Sequence, residues 1–317
     1  MADMTLLEAA KLMPASPQRG VIQTYAEASK VLDIAPVIGV SGKDFPWSLE
    51  TSLPWTGSSG VRDINADFTA SYGVVNKYSS ETKVYGGKVQ VDKKIVVEAP
   101  DAVAFQEAAQ IRALSRQLDI DIFEGAGGVS NNLRGLQYIL ENFEDFDSQT
   151  VNAAASNTAT ITLDMLDEVI GKVNVSNMTR IYANSSVIRT INSLSRTQTS
   201  GQMDVIRNLN QYGVYSTTYN NIPMIAMQDG KNANMLSTTQ ADKEADANNA
   251  QSLWIVTWGP ENVTLFSSNA TRVANGVPVP NVEIETDGSN YKYYRVEWYV
   301  GLAVQAIRSV GRIRYLS

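Results

Sequence analysis

Apolar and polar positions alternate most regularly near the end of the chain. From Arg295 to Val304, the side chains Val296, Trp298, Val300, Leu302 and Val304 fall on one side, and Arg295, Glu297 and Tyr299 on the other. A period of two is that of a β-strand with one buried face. A second strand is predicted from Ile307 to Tyr315, with Arg308, Arg312 and Arg314 on its polar face. A short strand from Val282 to Glu285 precedes both, set off by an Asp287-Gly288 turn.

The same pattern recurs upstream. Trp47, Leu49, Thr51 and Leu53 alternate with Ser48, Glu50 and Ser52, which predicts a strand. A polar tract follows, from Gly57-Ser-Ser-Gly60 to Ser79-Ser80, and then a β-rich run from Lys83 to Val97. Residues 47–98 therefore predict a long two-stranded excursion. A hairpin of that kind is marginal alone in water, so it needs a surface, and a neighbouring copy of the chain is the natural candidate.

Between the two ends the period changes. Asp101 to about Glu124 predicts a long helix with an apolar stripe of Phe105, Ile111, Leu114, Leu118 and Ile122. Its polar side would carry Gln106, Arg112, Ser115, Arg116 and Asp119. Gly125-Ala-Gly-Gly128 closes the helix. Residues 133–275 mix helical and strand signals: a helix over Leu163–Val173 capped by Thr162, a strand at Arg180–Ala183, a helix from Ser185 to about Arg196, strands around Ile222-Pro223, and a buried strand over Ser252–Trp258. The polar run from Asp229 to Gln251 predicts a mobile loop. At the start, Thr5-Leu-Leu-Glu8 is a capping box, and a second short helix is predicted from about Pro17 to Leu32. Together they make an arm rather than a domain.

Composition narrows the chemistry. The 317 residues contain no cysteine and no histidine. Disulfides, Cys/His zinc sites, thiol nucleophiles and Ser-His-Asp machinery are excluded. The net charge of −7 argues against a dedicated nucleic-acid binder. No apolar run is long enough to span a membrane as a helix. The N-terminus lacks the basic region of a signal peptide, so the Asn-x-Ser/Thr triplets are expected to remain unglycosylated.

The remaining chemical candidates fit structural roles better. Gly125–Gly128 closes a helix, whereas a phosphate loop opens one with Gly-Lys-Ser/Thr. The acids Glu141, Glu144, Asp145 and Asp147 lack calcium-loop spacing. Those at Asp164, Asp167 and Glu168 occupy the first turns of a helix, where the dipole favours them. Trp47, Trp55, Trp254, Trp258 and Trp298 are scattered over strand and turn patterns and suit core or subunit packing. Arg112 and Arg116, one helical turn apart, could meet nucleic-acid phosphates without specificity.

Three strings resemble the major capsid proteins of tailed bacteriophages, whose fold bacterial encapsulin shells share. Phe45-Pro-Trp-Ser-Leu-Glu-Thr-Ser-Leu-Pro54 resembles the entry to that family's extended E-loop. Lys83-Val-Tyr-Gly-Gly-Lys-Val-Gln-Val-Asp-Lys-Lys-Ile-Val resembles its return strand. Arg295 to Ile313 resembles the closing strands of its peripheral (P) domain. The order of elements matches over nearly the whole chain. The resemblance implies an α+β fold with an N-terminal arm (1–45), an E-loop (46–98), a P domain built on a spine helix (99–132), an axial (A) domain (133–275) and a return to the P domain (276–317).

It further implies a structural subunit that assembles with itself through hexamers and pentamers into an icosahedral shell around double-stranded DNA. Such a shell is made in the host bacterial cytoplasm and ends in the virion. No catalytic, cofactor or metal role is expected. Scaffolding, portal and decoration proteins are candidate partners, packaged DNA is contacted weakly and without specificity, and no membrane is involved. Expected subunit-interface residues are Trp47, Glu50, Trp55, Arg62, Tyr78, Glu81, Lys83, Tyr85, Lys88, Arg308, Arg312 and Arg314, with Arg112 and Arg116 toward the interior. An encapsulin-like nanocompartment is the nearest alternative. A carboxylate-dependent hydrolase is more distant, because the repeating strand–helix units of a barrel enzyme are missing. A secreted sugar-binding protein would want an export signal.

Overall fold

Two mixed β-sheets organise the chain in the computed structural model, which describes residues 28–54, 61–68, 70–98, 100–127, 132–153, 159–197, 205–209, 215–228, 234–236, 251–268, 273–274, 277–286 and 291–316. In chain order the elements are β1 (Val37–Val40), β2 (Asp44–Ser52), β3 (Val74–Glu81), β4 (Lys83–Asp92), α1 (Lys93–Glu98), α2 (Pro100–Glu124), α3 (Leu136–Asn142) and a 3-10 turn at Glu144–Gln149. Then follow β5 (Thr150–Asn152), α4 (Leu163–Lys172), β6 (Thr179–Ala183), α5 (Ser185–Thr197), β7 (Val205–Leu209), β8 (Tyr215–Tyr219), β9 (Ile222–Ala226) and β10 (Gln251–Thr257). The chain finishes with β11 (Val263–Ser268), β12 (Val273–Ala274), β13 (Val277–Pro278), β14 (Asn281–Thr286), β15 (Tyr291–Val304), a 3-10 turn at Ile307–Ser309 and β16 (Val310–Leu316).

The first sheet is built around β15. One edge of this strand takes β4 in antiparallel register, Trp298 opposite Tyr85 and Val296 opposite Gly87. The other edge takes β14 and then β11, and β1 adds outside β11. The predicted period of two holds: Val296, Trp298 and Val300 are buried while Arg295, Glu297 and Tyr299 are only partly covered. The buried face packs with Ile111, Leu118, Ile122 and Phe123 of α2 in one core.

Helix α2 is covered on more than its apolar stripe. Ser115, Asp119 and Asp121, expected or adjacent to the polar side, are buried, whereas Phe105 is exposed. The cause lies in the turn at residues 29–35. Ser29 Oγ donates to Asp119 Oδ1 at 2.5 Å, and the Lys30 N–H donates to Oδ2 at 2.7 Å. Ser29 Oγ in turn accepts from the N–H groups of Val31 and Leu32. Val31, Leu32 and Ala35 join the core beside it. The polar stripe of α2 is thus the docking site of the segment that leads into β1. The earlier part of the predicted arm, including both short helices up to residue 27, lies outside the described residues.

The end of α2 requires glycine. The Gly125 N–H donates to the Asp121 carbonyl and the Gly135 N–H to the Gly125 carbonyl, both at 2.9 Å. A Cβ on Gly125 would approach the Leu133 and Asp121 carbonyl oxygens to 2.3 and 2.4 Å. The run therefore closes the helix and folds the chain back into α3.

The second sheet has seven strands in the order β5-β16-β10-β6-β9-β8-β7. Its strand β10 is covered on both faces. Along β10, Leu253 and Ile255 enter a core with α4 and α5, while Trp254 and Val256 enter the core shared with α2. A strand buried on both sides reads as a continuous apolar run, as Ser252–Trp258 does. Helix α4 is capped as expected, with the Met165 N–H donating to Thr162 Oγ1 at 3.3 Å. Strands β8 and β9 turn through Asn220 and Asn221 at φ 47° and 63°. Asparagine tolerates the left-handed region that a two-residue hairpin loop demands. Most of the Asp229–Gln251 loop lies outside the described residues.

Strand pairing corrects two expectations. The partner of β2 is β3, from Asp44 opposite Glu81 to Ser52 opposite Val74. The polar tract at 57–80 thus hides a strand, and the Lys83–Val97 run pairs with β15 instead. That run also ends at Asp92, whose side chain accepts from the Lys94 N–H at 2.8 Å and so opens α1. The sheets also cut across the linear segments: β11 joins the first sheet and β16 the second.

Candidate functional site

The β2–β3 hairpin has two halves with opposite surroundings. Its root lies on its own chain. Trp47 is buried, its ring 4.8 Å from that of Tyr78, and its Nε1 donates to Ser80 Oγ at 3.0 Å. Tyr78 stacks on Phe143 at 4.5 Å and donates its hydroxyl proton to Asp145 Oδ2 at 2.5 Å, where Asn76 Nδ2 also donates at 2.9 Å. Burial and the neighbouring Asp145 carboxylate push the Tyr78 phenol up to about 12. The surface needed by the hairpin is therefore supplied at its root by the 3-10 turn after α3. The alternation of β3 puts Asn76, Tyr78 and Ser80 on one face, where Asn76 and Tyr78 reach Asp145 of that turn and Ser80 accepts from Trp47.

The distal half is different. Val61, Ile64, Phe68 and Tyr72 are 82, 93, 64 and 84% exposed, and Leu53, Val74 and Val75 are exposed as well. Arg62 braces this stretch from within. Its guanidinium lies 5.1 Å from the centre of the Phe68 ring and donates to the Ala66 carbonyl at 3.0 Å. Solvent-exposed apolar side chains in such density mark an interaction surface.

The remaining expected interface residues are distributed unevenly. Glu50 and Lys88 are exposed, and Lys88 Nζ sits 3.6 Å from the centre of the Tyr293 ring. Glu81 bridges Lys43 at 3.3 Å and Lys83 at 3.7 Å, which hold its carboxyl below the usual range. Arg308 is exposed, yet it donates to the Gly171 and Lys172 carbonyls and thereby caps the C-terminus of α4. Arg314 donates to Asn152 Oδ1. Trp55 lies outside the described residues. On α2, Arg112 is exposed and Arg116 half-buried.

Three of the expected interface residues are internal to the fold. Trp47 belongs to the hairpin root. Tyr85 is buried and donates to Asp121 Oδ2 at 2.7 Å, tying β4 to α2. Arg312, expected to face solvent or a neighbour, is completely buried. Its Nη1 pairs with Glu141 Oε1 at 2.7 Å, its Nε donates to Ser252 Oγ at 3.0 Å, and its guanidinium lies 4.9 Å from the centre of the Trp254 ring. At Arg312, the face of β16 expected to meet solvent or a neighbour is covered by α3, which delivers Glu141. A polar residue in an alternating strand reveals which face it is on, and not whether that face is covered.

Among the described residues, no three carboxylates cluster closely enough to hold a metal ion. The acids at Glu144, Asp145 and Asp147 serve the 3-10 turn and the hairpin root. Trp254, Trp258 and Trp298 are all core residues, and the indole N–H of Trp258 donates to the Tyr182 hydroxyl at 2.9 Å. No described helix is long and apolar enough to cross a membrane.

No protein-family model matches the chain, and no curated protein matches it. Solved structures do. The holo-SrpI encapsulin complex from Synechococcus elongatus is similar at 13% identity and a TM-score of 0.62, covering 98% of this chain and 94% of that one. The capsid of cyanophage A-1(L) is similar at 13% identity and a TM-score of 0.62, covering 89% of this chain and 91% of that one. A structure from Microbacterium phage Oxtober96 is similar at 13% identity and a TM-score of 0.59, covering 99% of each chain. The chain has the fold of phage capsid and encapsulin shell proteins, with mixed α and β content.

Proposed function

We propose that this chain is a structural shell subunit, the major capsid protein of a tailed bacteriophage. It assembles with itself through hexamers and pentamers into an icosahedral shell that encloses double-stranded DNA. The observation that carries the reading is the uncovered apolar stretch from Val61 to Tyr72, displayed on a hairpin whose root is locked to its own chain. A monomer gains nothing from such a surface, and a shell reuses it in every copy. The fold likeness over nearly the full chain supports the same conclusion.

In this reading the β2–β3 hairpin is the E-loop and α2 the spine helix of the P domain. The first sheet completes that domain, and the second sheet, with β16, forms the A domain. Glu50, Arg62 and Lys88 are exposed and open to a neighbour, as is Arg308 beyond its bonds to α4. Arg112 and Arg116 face the interior, and the acidic balance of the chain keeps contact with packaged DNA weak. Scaffolding, portal and decoration proteins complete the partner set. Assembly takes place in the host bacterial cytoplasm, and the product is the virion.

Negative-stain microscopy and size-exclusion chromatography of the purified chain, alone and with a co-expressed scaffold, test this directly. Hollow particles or capsomer rings are expected. A stable monomer at high concentration under both conditions would refute the reading. The equal TM-scores to an encapsulin and a phage capsid favour one second reading, a shell around protein cargo. Particles isolated from the native source discriminate, because nuclease-resistant DNA inside them is expected only of the virion.

A further inference from the structure

The turn at residues 29–35 is seated on α2 through a carboxylate that has no charged partner. Asp119 is completely buried, and its two oxygens accept from the Ser29 hydroxyl and the Lys30 N–H. Among the described residues, no lysine or arginine forms an ion pair with it. Lys30 supplies its backbone only, and its side chain is exposed. A buried carboxylate held by neutral donors alone is costly once ionised, and releasing the turn into water relieves that cost. We propose that this contact is a proton-operated latch: the turn stays seated on α2 while Asp119 carries a proton and lifts away when Asp119 ionises.

The bonding pattern defines what moves. The turn is held together internally, with Ser29 Oγ accepting from the Val31 and Leu32 N–H groups and the Val31 carbonyl accepting from Ile34 and Ala35. Beyond it the chain is fixed. The Pro36 carbonyl accepts from the Leu265 N–H at 3.2 Å, and Val37–Val40 pair in parallel with Leu265–Ser268. Release therefore stops at β1 and leaves both sheets intact. It uncovers Val31, Leu32 and Ala35, all wholly buried when seated. The latch decides whether this apolar segment is hidden in the subunit or open to another chain, and it belongs to the single subunit whether or not the chain builds a shell.

The neighbours leave the proton on Asp119 as the variable. Of the turn's charged side chains, Lys30 and Asp33 are exposed. On α2, Arg116 is half-buried one turn earlier, and Asp121 is engaged by Tyr85 and Gln117. From β6, Tyr182 is wholly buried, its phenol pushed up by burial and its hydroxyl accepting from Trp258. Arg180 donates to the Asn177 and Thr179 carbonyls. Burial pushes the seated Asp119 carboxyl up to about 7, whereas the released side chain titrates in water near the ordinary value of about 3.9. Seating thus binds a proton. Below about pH 4 the latch holds fully, and from there toward 7 each pH unit favours release by about tenfold.

Hydrogen exchange of the unassembled subunit at pH 5, 6 and 7, corrected for intrinsic exchange chemistry, tests the latch. Protection of the amides from Val31 to Ala35 is expected to fall by about tenfold per pH unit. At each pH it is expected to lie at least tenfold below that of Leu253–Val256 in β10, because the turn opens without the sheets. In Asp119→Asn, which cannot ionise, the turn's protection is expected to be independent of pH. Protection equal to that of β10, a flat profile in the wild type, or the same slope in Asp119→Asn overturns the latch. Should Asp119→Asn not fold, Ser29→Ala decides. Loss of one donor to the carboxylate is expected to extend the fall in protection from pH 7 to 8, where the wild type levels off, and a profile that levels off as the wild type does overturns the proposal.

Discussion

Two regions of this molecule invert the usual relation between polarity and exposure, in opposite directions. Around α2 and β16, ionisable side chains are buried: Arg312, Asp119 and Asp121. On the hairpin beyond its root, large apolar side chains stand in water. Charged groups are rarely buried unless paired, and contiguous apolar patches are rarely left open on a monomer. The buried set is satisfied within the chain by Glu141, Ser29, Lys30 and Tyr85. Among the described residues, the exposed set is met only by Arg62, over the Phe68 ring. Under the proposed shell-subunit reading, the difference separates two tasks: the buried polar groups select one subunit fold, and the exposed apolar groups are left for contacts between subunits.

Substitutions break that division in different places. The largest effect is expected outside. Replacing residues 55–72 with a short turn should abolish particle formation while leaving urea unfolding of the unassembled subunit unchanged within about 0.5 kcal/mol. The cut spares β3, because Ser52 and Val74 are already paired at its end and Tyr78 is needed at the root. Particles formed by this variant would show that the excursion is not an assembly element. Inside, Arg312→Ala is expected to cost about 3 kcal/mol of subunit stability by stranding Glu141 and emptying the space against Trp254. An unfolding midpoint equal to the wild type would mean that the buried pair contributes nothing.

The sequence shows one side of this comparison better than the other. The period of β15, the length of α2, the Thr162 cap and the glycine stop at Gly125 are all local signals and were legible. Strand β3 was missed because most of it faces water, so its composition resembles a loop. The pairing of β4 with β15 joins segments far apart in the chain, and no local pattern encodes it. Arg312 and Asp119 fall on the polar faces of their elements, and a polar face does not reveal whether something covers it. What covers them, α3 in one case and the 29–35 turn in the other, is decided by tertiary packing. Among expected contact residues, Trp47, Tyr85 and Arg312 turned inward, while Glu50, Arg62, Lys88 and Arg308 stayed exposed.

Asp119 gives the buried set a pH signature. Burial pushes its carboxyl up to about 7 despite the hydrogen bonds from Ser29 and Lys30. In the unfolded chain it titrates near the ordinary value of about 3.9. Because the folded value is the higher one, the stabilising difference is complete below about pH 4 and is lost as pH rises toward 7. Subunit stability should therefore fall across that window, and the fall should be shallower in Asp119→Asn. Asp121, also raised by burial, adds in the same direction. Chemical denaturation at pH 4.5, 6 and 7.5 checks this, and identical slopes for the two proteins would remove Asp119 from the account.

The smallest expected effect lies at the joint between the two regions. Tyr78→Phe keeps the stacking on Phe143 and the contact with Trp47 but removes the hydroxyl bonded to Asp145. Asn76 still donates to the same carboxylate oxygen, so Asp145 is not stranded. A cost of about 1 kcal/mol in subunit stability is expected. Particle yield should hold, because the aromatic contacts that fix the hairpin's direction remain. Normal stability with lost assembly would be the informative failure. It would mean that the root hydroxyl sets the angle at which the excursion meets its neighbour, and that fold and assembly are not divided between root and tip.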